Sequence, residues 1–122
     1  MKNTNQYLRQ VGGHHYEGYA MQPIELFDKT KWNYFQSSVC RYTLRYKDKN
    51  GEEDLQKALH LCRYASFHNV RSDRRNEAHV IAFAEANNLP AEQEQALHKI
   101  DACDWRWLTN HVNNLINNYH NE

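Results

Sequence analysis

Arg41, Tyr42, Arg45, Tyr46, Lys47 and Lys49 crowd cations and phenol rings into one short stretch of chain. On a helix, Arg41 and Arg45 stand one turn apart on a shared face, while Tyr42 and Tyr46 form the neighbouring stripe. A guanidinium presents a planar fork of donors that matches phosphate oxygens, and a tyrosine ring presents a flat face to a nucleobase or sugar. These residue types at this spacing suit a phosphate flanked by a stacked base. They also fit a solvated helix end, with Arg41 and Arg45 pairing with nearby acids.

Other side chains suited to chemistry flank this cluster. His14, His15 and Tyr16 follow Gly12-Gly13 in the arm, where the histidines either contact a ligand, with His15 as acid or base, or simply belong to the loop, and Tyr16 either anchors the arm or joins the ligand site. Glu53 and Asp54 would hold a metal or position a hydroxyl. Yet Glu52, Glu53 and Asp54 open a helix, and the helix dipole favours carboxylates there without any catalysis. Gly51 is followed by Glu52-Glu53 rather than by lysine and a hydroxyl residue, so the P-loop signature is absent. Cys40, Cys62 and Cys103 are odd in number and widely spaced, which reads as reduced core cysteines of a cytosolic protein. No cysteine pair has zinc-site spacing and no histidines form an HExxH arrangement, so no metal ligands are assigned.

At 122 residues the chain is expected to form one domain. Fifteen Lys and Arg balance fifteen Asp and Glu, which excludes a general nucleic-acid binder driven by a basic surface. The span from Arg41 to Arg75 is nonetheless basic and the C-terminal third acidic, which fits a small anionic ligand better than a long polyanion. Trp32, Trp105, Trp107 and eight tyrosines need burial, part of it expected between subunits of a homo-oligomer. The polar N-terminus has no signal-peptide core and no run approaches membrane-spanning length, so a soluble cytoplasmic protein is expected.

The elements that must hold the cluster follow from periodicity. Residues 1–22 read as an irregular arm. Pro23 suits the first position of a helix running to about Thr30, and Asn33 caps a second helix from about Tyr34 to Lys47. Phe35, Val39, Tyr42 and Tyr46 make the inner stripe of that helix, leaving Ser37, Ser38, Arg41 and Arg45 on the other side. Asp48-Lys49-Asn50-Gly51 is a turn. A third helix extends to about Val70 with Leu55, Leu59, Cys62 and Ser66 inward. Ser72 or Asp73 caps a fourth that carries Ala78, Ile81, Ala82 and Ala86 and ends at Asn87-Asn88. Pro90 starts a fifth, and Asp104 caps a last one with Trp105, Leu108, Val112, Leu115, Ile116 and Tyr119 on its apolar face. Trp105 and Trp107 diverge on that helix, so one of them would meet another subunit. The fold expected is an all-α bundle of five or six helices, with 23–70 as the ligand-binding core and 71–122 as C-terminal helices.

His15-Tyr16, Gln22-Pro23-Ile24-Glu25, Phe35, Arg41-Tyr42, Arg45, Lys47, Lys49-Asn50-Gly51, Glu53-Asp54-Leu55 and Lys57-Ala58 together resemble a family of small phage proteins, often described as nucleotide kinases lacking a P-loop. The resemblance runs from about His14 to Ala65. Arg41 stands where that family usually has lysine, which keeps the charge and changes its geometry. No family motif is matched after Ser72. The resemblance implies nucleotide binding, and some members phosphorylate nucleoside monophosphates. Its setting would be the cytoplasm of an infected bacterium.

Several functions compete on this reading. A kinase would use Arg41, Arg45, Lys47 and Lys49 on the phosphates, with Mg as a possible cofactor. A sequestering protein would bind nucleotides or cyclic nucleotide immune signals through the same clamps without a catalytic base. A purely structural or protein-interaction domain needs neither; in it Arg41 and Arg45 pair with Glu52, Glu53 or Asp54, and the tyrosines belong to the core. Glu25-x-x-Asp28 with Glu52-Glu53 loosely suggests an all-α nucleotide pyrophosphohydrolase, though the full carboxylate pattern is missing. Replacing Arg45 with alanine is expected to abolish ligand binding while the helical signal stays intact.

Overall fold

Pro23 and Asn33 start the first two helices as their types dictate. The computed structural model describes residues 18–121, which form six α-helices, a single 3-10 turn and no strand. Helix α1 spans Pro23–Thr30, with Gln22 and Glu25 forming a reciprocal capping box. Helix α2 spans Tyr34–Arg45, and the Asn33 side chain accepts from the Gln36 backbone N–H. The 3-10 turn Tyr46–Asp48 then carries the chain into α3, Glu52–Phe67. Helices α4 (Glu77–Ala86), α5 (Ala91–Asp101) and α6 (Trp105–His120) complete the chain. Of the expected arm, residues 1–17 lie outside the described residues. Its end is tied down, since Met21 N–H donates to Asn87 Oδ1 at 3.2 Å and Asn87 Nδ2 donates to Met21 O at 2.9 Å.

Helix α3 lies at the centre, packed against α2 on one side and α6 on the other. Helix α5 bridges α2 and α6, and α4 sits between α1 and α5. One continuous buried cluster runs through all six helices, with Leu26, Val39, Leu55, Phe83, Ile100 and Leu108 wholly covered. No helix among the described residues is long and apolar enough to cross a membrane.

Helices α3, α4 and α5 stop in the same way. Asn69, Asn88 and Cys103 each take a left-handed backbone conformation just past the helix end. The next N–H then reaches back to a carbonyl of the last turn: Val70 to Ala65, Leu89 to Ala84 and Asp104 to Lys99, at 2.9 to 3.0 Å. This is the Schellman geometry, for which asparagine is a tolerated substitute for glycine.

A polar knot joins distant parts of the chain. Asp101 is buried, and it accepts from Trp32 Nε1 at 2.9 Å, from Asn76 N–H at 2.7 Å and from Asn76 Nδ2 at 3.0 Å. A buried carboxylate is costly unless hydrogen-bonded, and these donors supply that need. They also fasten the α1–α2 and α3–α4 loops to the end of α5.

Four expectations about elements need correction, the first being the inner face of α2, where Gln36, Ser38, Val39, Cys40 and Thr43 are buried while Phe35 and Tyr42 are only half-buried. Asn76, not Ser72 or Asp73, precedes α4, and its side chain turns inward to Asp101 instead of capping the helix. The buried face of α4 is Val80, Phe83 and Ala84, whereas Ala78, Ala82 and Ala86 are exposed. On α3, Ser66 is exposed and the inner face ends at Ala65.

Candidate functional site

The turn between α2 and α3 is built by residues that close on one another. Arg45 Nε donates to Asp54 Oδ2 at 3.3 Å and its Nη2 donates to Oδ1 at 3.4 Å. Asn50 adds its backbone N–H at 3.4 Å and its Nδ2 at 3.5 Å to the same carboxylate. Asp54 is fully buried and its charge is met by Arg45, whose side chain is 16 % exposed. Arg45 therefore does not lie on an open face with Arg41. Asp54 is withdrawn from any substrate, so it cannot hold a metal or position a hydroxyl. Its work is to fix Arg45 and the turn.

Fixing Arg45 places its guanidinium 5.0 Å from the centre of the Tyr42 ring. Lys57 Nζ, reaching from α3, lies 5.7 Å from the same ring. Tyr42 and Lys57 line a groove of about 370 Å³ between α2 and α3, together with Tyr34, Glu53, Gln56, His60 and Leu61. Tyr34 is largely exposed. Glu53, the one carboxylate lining this groove, is also exposed and lies 3.5 Å from Lys57. Two phenol rings, a lysine and a histidine thus share one small open groove.

The remaining residues of the expected cluster separate. Arg41 is half-buried and its Nη2 donates to Ser38 Oγ at 3.3 Å. Tyr46 is buried and meets Tyr119 edge to face at 6.2 Å. Lys47 is exposed and lines a different groove of about 440 Å³ with Tyr46, Asp48, Glu92 and His111. Lys49 is exposed on the turn. His14, His15 and Tyr16 lie outside the described residues. The expected single cluster is therefore divided, with Tyr42 facing one groove, Tyr46 and Lys47 facing another, and Arg45 held between α2 and α3.

The Lys47 groove is a poor phosphate site, because Asp48 and Glu92 outnumber its one lysine. Its distinctive member is His111, buried, stacked at 4.9 Å on Trp107 and 3.8 Å from Glu92 Oε2. Burial pushes the imidazole pKa down, opposed in part by Glu92. The thiols are inert structural groups. Burial pushes Cys62 up to about 12 and raises Cys40 and Cys103 as well.

A pyrophosphohydrolase-like centre requires clustered carboxylates, and these are dispersed. Glu25 caps α1, Asp28 pairs with Lys31 at 3.2 Å, and Glu52 meets His120 at 3.1 Å. Among the described residues no three His, Cys, Asp or Glu side chains gather to hold a metal. A Mg ion at the Tyr42 groove would have Glu53 as its single protein ligand there, which fits an ion carried in on substrate phosphates better than a resident one.

Residues 11–63 match a family described as a protein of unknown function (DUF3310). No curated protein and no solved structure matches the chain. The matched stretch takes in nearly all the residues that carry the resemblance described above, and its description names no activity. Every residue lining the Tyr42 groove falls within it, whereas the Lys47 groove draws half its lining from α5 and α6. Sequence reasoning missed Tyr34, Lys57 and His60 as groove residues. The signal was present in the spacing of Glu53, Lys57 and His60, which places them on one outer face of α3.

Proposed function

We propose that the chain binds a nucleotide in the groove between α2 and α3. The observation that carries this reading is the Tyr42 ring set beside two cations, Arg45 and Lys57, on a groove of nucleotide size. Tyr42 and Tyr34 supply faces for the base, and Lys57 supplies charge for the phosphates. Arg45 is pre-oriented by Asp54, so little ordering cost falls on binding. Arg41 and the segment with His14, His15 and Tyr16 complete the set that the phage-family resemblance implies.

Binding is common to both activities proposed for such a site, phosphorylation of nucleoside monophosphates and sequestration of nucleotides or cyclic nucleotide signals in an infected bacterial cell. With Asp54 committed to Arg45, any phosphoryl transfer falls to Glu53 and His15. A sequestering protein needs neither, which favours sequestration. The test is incubation of the protein with nucleoside monophosphates plus a triphosphate donor, and separately with cyclic nucleotides. New diphosphate identifies a kinase. A ligand retained and then released unchanged on denaturation identifies a sequestering protein. Retention of nothing overturns the nucleotide reading.

Self-association has its own support. Phe67 is 85 % exposed and meets His68 edge to face; His68 in turn lies 4.1 Å from Tyr64, which stacks on Phe35 at 5.5 Å and continues through Tyr34 to the edge of the Tyr42 groove. A largely exposed aromatic surface of this kind supports self-association. We place the homo-oligomer contact there. Sedimentation of the chain against a Phe67→Ser variant tests it: the variant is expected to sediment as a smaller species, and equal sedimentation removes the assignment.

A further inference from the structure

A second basic cluster lies where the loop between α3 and α4 meets the start of α6. Arg71, Arg75 and Arg106 line a groove of about 410 Å³ with Ser66, Cys103 and Asp104. Its lining begins at Ser66, beyond the stretch matched by the family and apart from Tyr42.

Arg71 and Arg75 are held in place without being neutralised. Arg71 Nη1 donates to the Val70 and Cys103 carbonyls, each at 3.2 Å. Arg75 Nη1 donates to the Ser72 carbonyl at 3.1 Å and the Arg74 carbonyl at 3.0 Å. Each side chain is anchored through one terminal nitrogen, so most of its donors remain for another partner. Among the described residues no carboxylate lies within 4.0 Å of Arg71, Arg75 or Arg106. Asp104, the one acid lining the groove, is already engaged, accepting from Trp107 N–H at 3.2 Å and from Lys99 Nζ at 3.4 Å.

Three guanidinium groups around one groove repel each other unless an anion sits among them. The left-handed turn at Cys103 sets the carbonyl that anchors Arg71, so the cation is positioned by backbone and not by a flexible neighbour. Three planar forks offer more donors than a carboxylate can accept, and they suit the oxygens of a phosphate. The chain is neutral overall and the cluster is confined to one groove, whereas a polynucleotide needs an extended basic track.

We propose that Arg71, Arg75 and Arg106 form an anion site that takes the phosphate of a small phosphorylated molecule. The site is independent of the nucleotide reading at Tyr42. Pyrophosphate titrated into the full chain by calorimetry at low salt tests it. Wild-type protein is expected to bind, Arg106→Glu to weaken binding about tenfold or more, and Lys29→Ala, which removes an exposed cation of α1 that lines neither groove, to leave it unchanged. Arg106 has no ion pair to lose among the described residues, so the thermal midpoint of Arg106→Glu is expected to hold; Arg75→Gln gives the same reading should Arg106→Glu fold poorly. Absence of binding at millimolar pyrophosphate overturns the proposal, as does equal affinity in both arginine variants. Equal loss in Lys57→Ala overturns the separate site. Binding of a single-stranded oligonucleotide through these arginines, without binding of pyrophosphate, overturns the small-molecule class.

Discussion

Arg45 and Asp54 form a buried ion pair nine residues apart in the chain, 3.3 Å between Nε and Oδ2, that closes the turn from α2 to α3. The pair gives Arg45 two tasks at once. Its guanidinium neutralises a carboxylate with no solvent contact, and it also lies 5.0 Å from the centre of the Tyr42 ring that lines the proposed site. On the nucleotide reading, stability and ligand affinity are therefore coupled through one side chain.

Removing either partner should be far more harmful than removing both. Asp54→Asn leaves Arg45 without its counter-charge, and Arg45→Ala leaves a buried carboxylate unpaired, each costing about 3–5 kcal/mol. Arg45→Met combined with Asp54→Leu should recover most of that loss, because an apolar pair needs no desolvation to be repaid. Urea midpoints of the three proteins decide it, and additive losses in the double variant would exclude the coupling. The expectation that Arg45→Ala leaves the helical signal intact is revised accordingly: the variant should melt at lower temperature as well as lose ligand.

Gly51 offers a second test of the same turn. Its φ of 58° and ψ of −127° are open to glycine and strained for other residues. A Cβ there would also collide with the Tyr119 hydroxyl oxygen. Gly51→Ala should therefore destabilise by about 1–3 kcal/mol from backbone strain, with the clash added. Tyr119→Phe in the Gly51→Ala background should return part of the loss while leaving the backbone share. Full recovery would show that space alone requires glycine.

His111 predicts a pH dependence with a definite sign. Burial holds its folded pKa below the ordinary value near 6.5, so the unfolded chain takes up a proton that the folded chain resists. The stabilising contribution is complete above about pH 6.5 and is lost as pH falls from there toward the lower folded pKa. Urea midpoints at pH 7.5 and 5.5 should drop less in His111→Gln than in the wild type. Equal drops would place the titration elsewhere. Protonation beside Trp107 should also change the tryptophan fluorescence over the same range.

Local chemistry made much of this fold readable, and long-range pairing hid the rest. Pro23, Asn33 and Asp104 mark helix starts because first-turn geometry and caps are decided within a few residues. The face of α4 was not readable, since Ala78, Val80, Ile81, Ala82, Phe83 and Ala84 are apolar nearly all round and periodicity has nothing to choose between. Asn76 was overlooked as the residue before α4 because its partner, Asp101, lies 25 residues away. The site was misjudged for the same reason. Helical spacing placed Arg45 with Arg41 on an outer face, whereas the structural alternative, which paired Arg45 with an acid at the start of α3, holds for Asp54, and Tyr42 finds its second cation on a neighbouring helix.

That second cation allows the nucleotide reading to be tested without disturbing the core. Tyr42→Ala removes the ring between α2 and α3 and should weaken a bound nucleotide by about 1–3 kcal/mol, the range for a lost stacking partner. Tyr42→Phe keeps the ring and should keep most of the affinity, since the face and not the hydroxyl does the stacking. Lys57→Ala should weaken binding in a salt-dependent way, because an exposed lysine acts on phosphate through a screened charge. Measuring all three by calorimetry at low and moderate salt separates base from phosphate. If Tyr42→Phe loses as much as Tyr42→Ala, the ring is not the platform. If Lys57→Ala binds normally at low salt, the phosphates sit elsewhere.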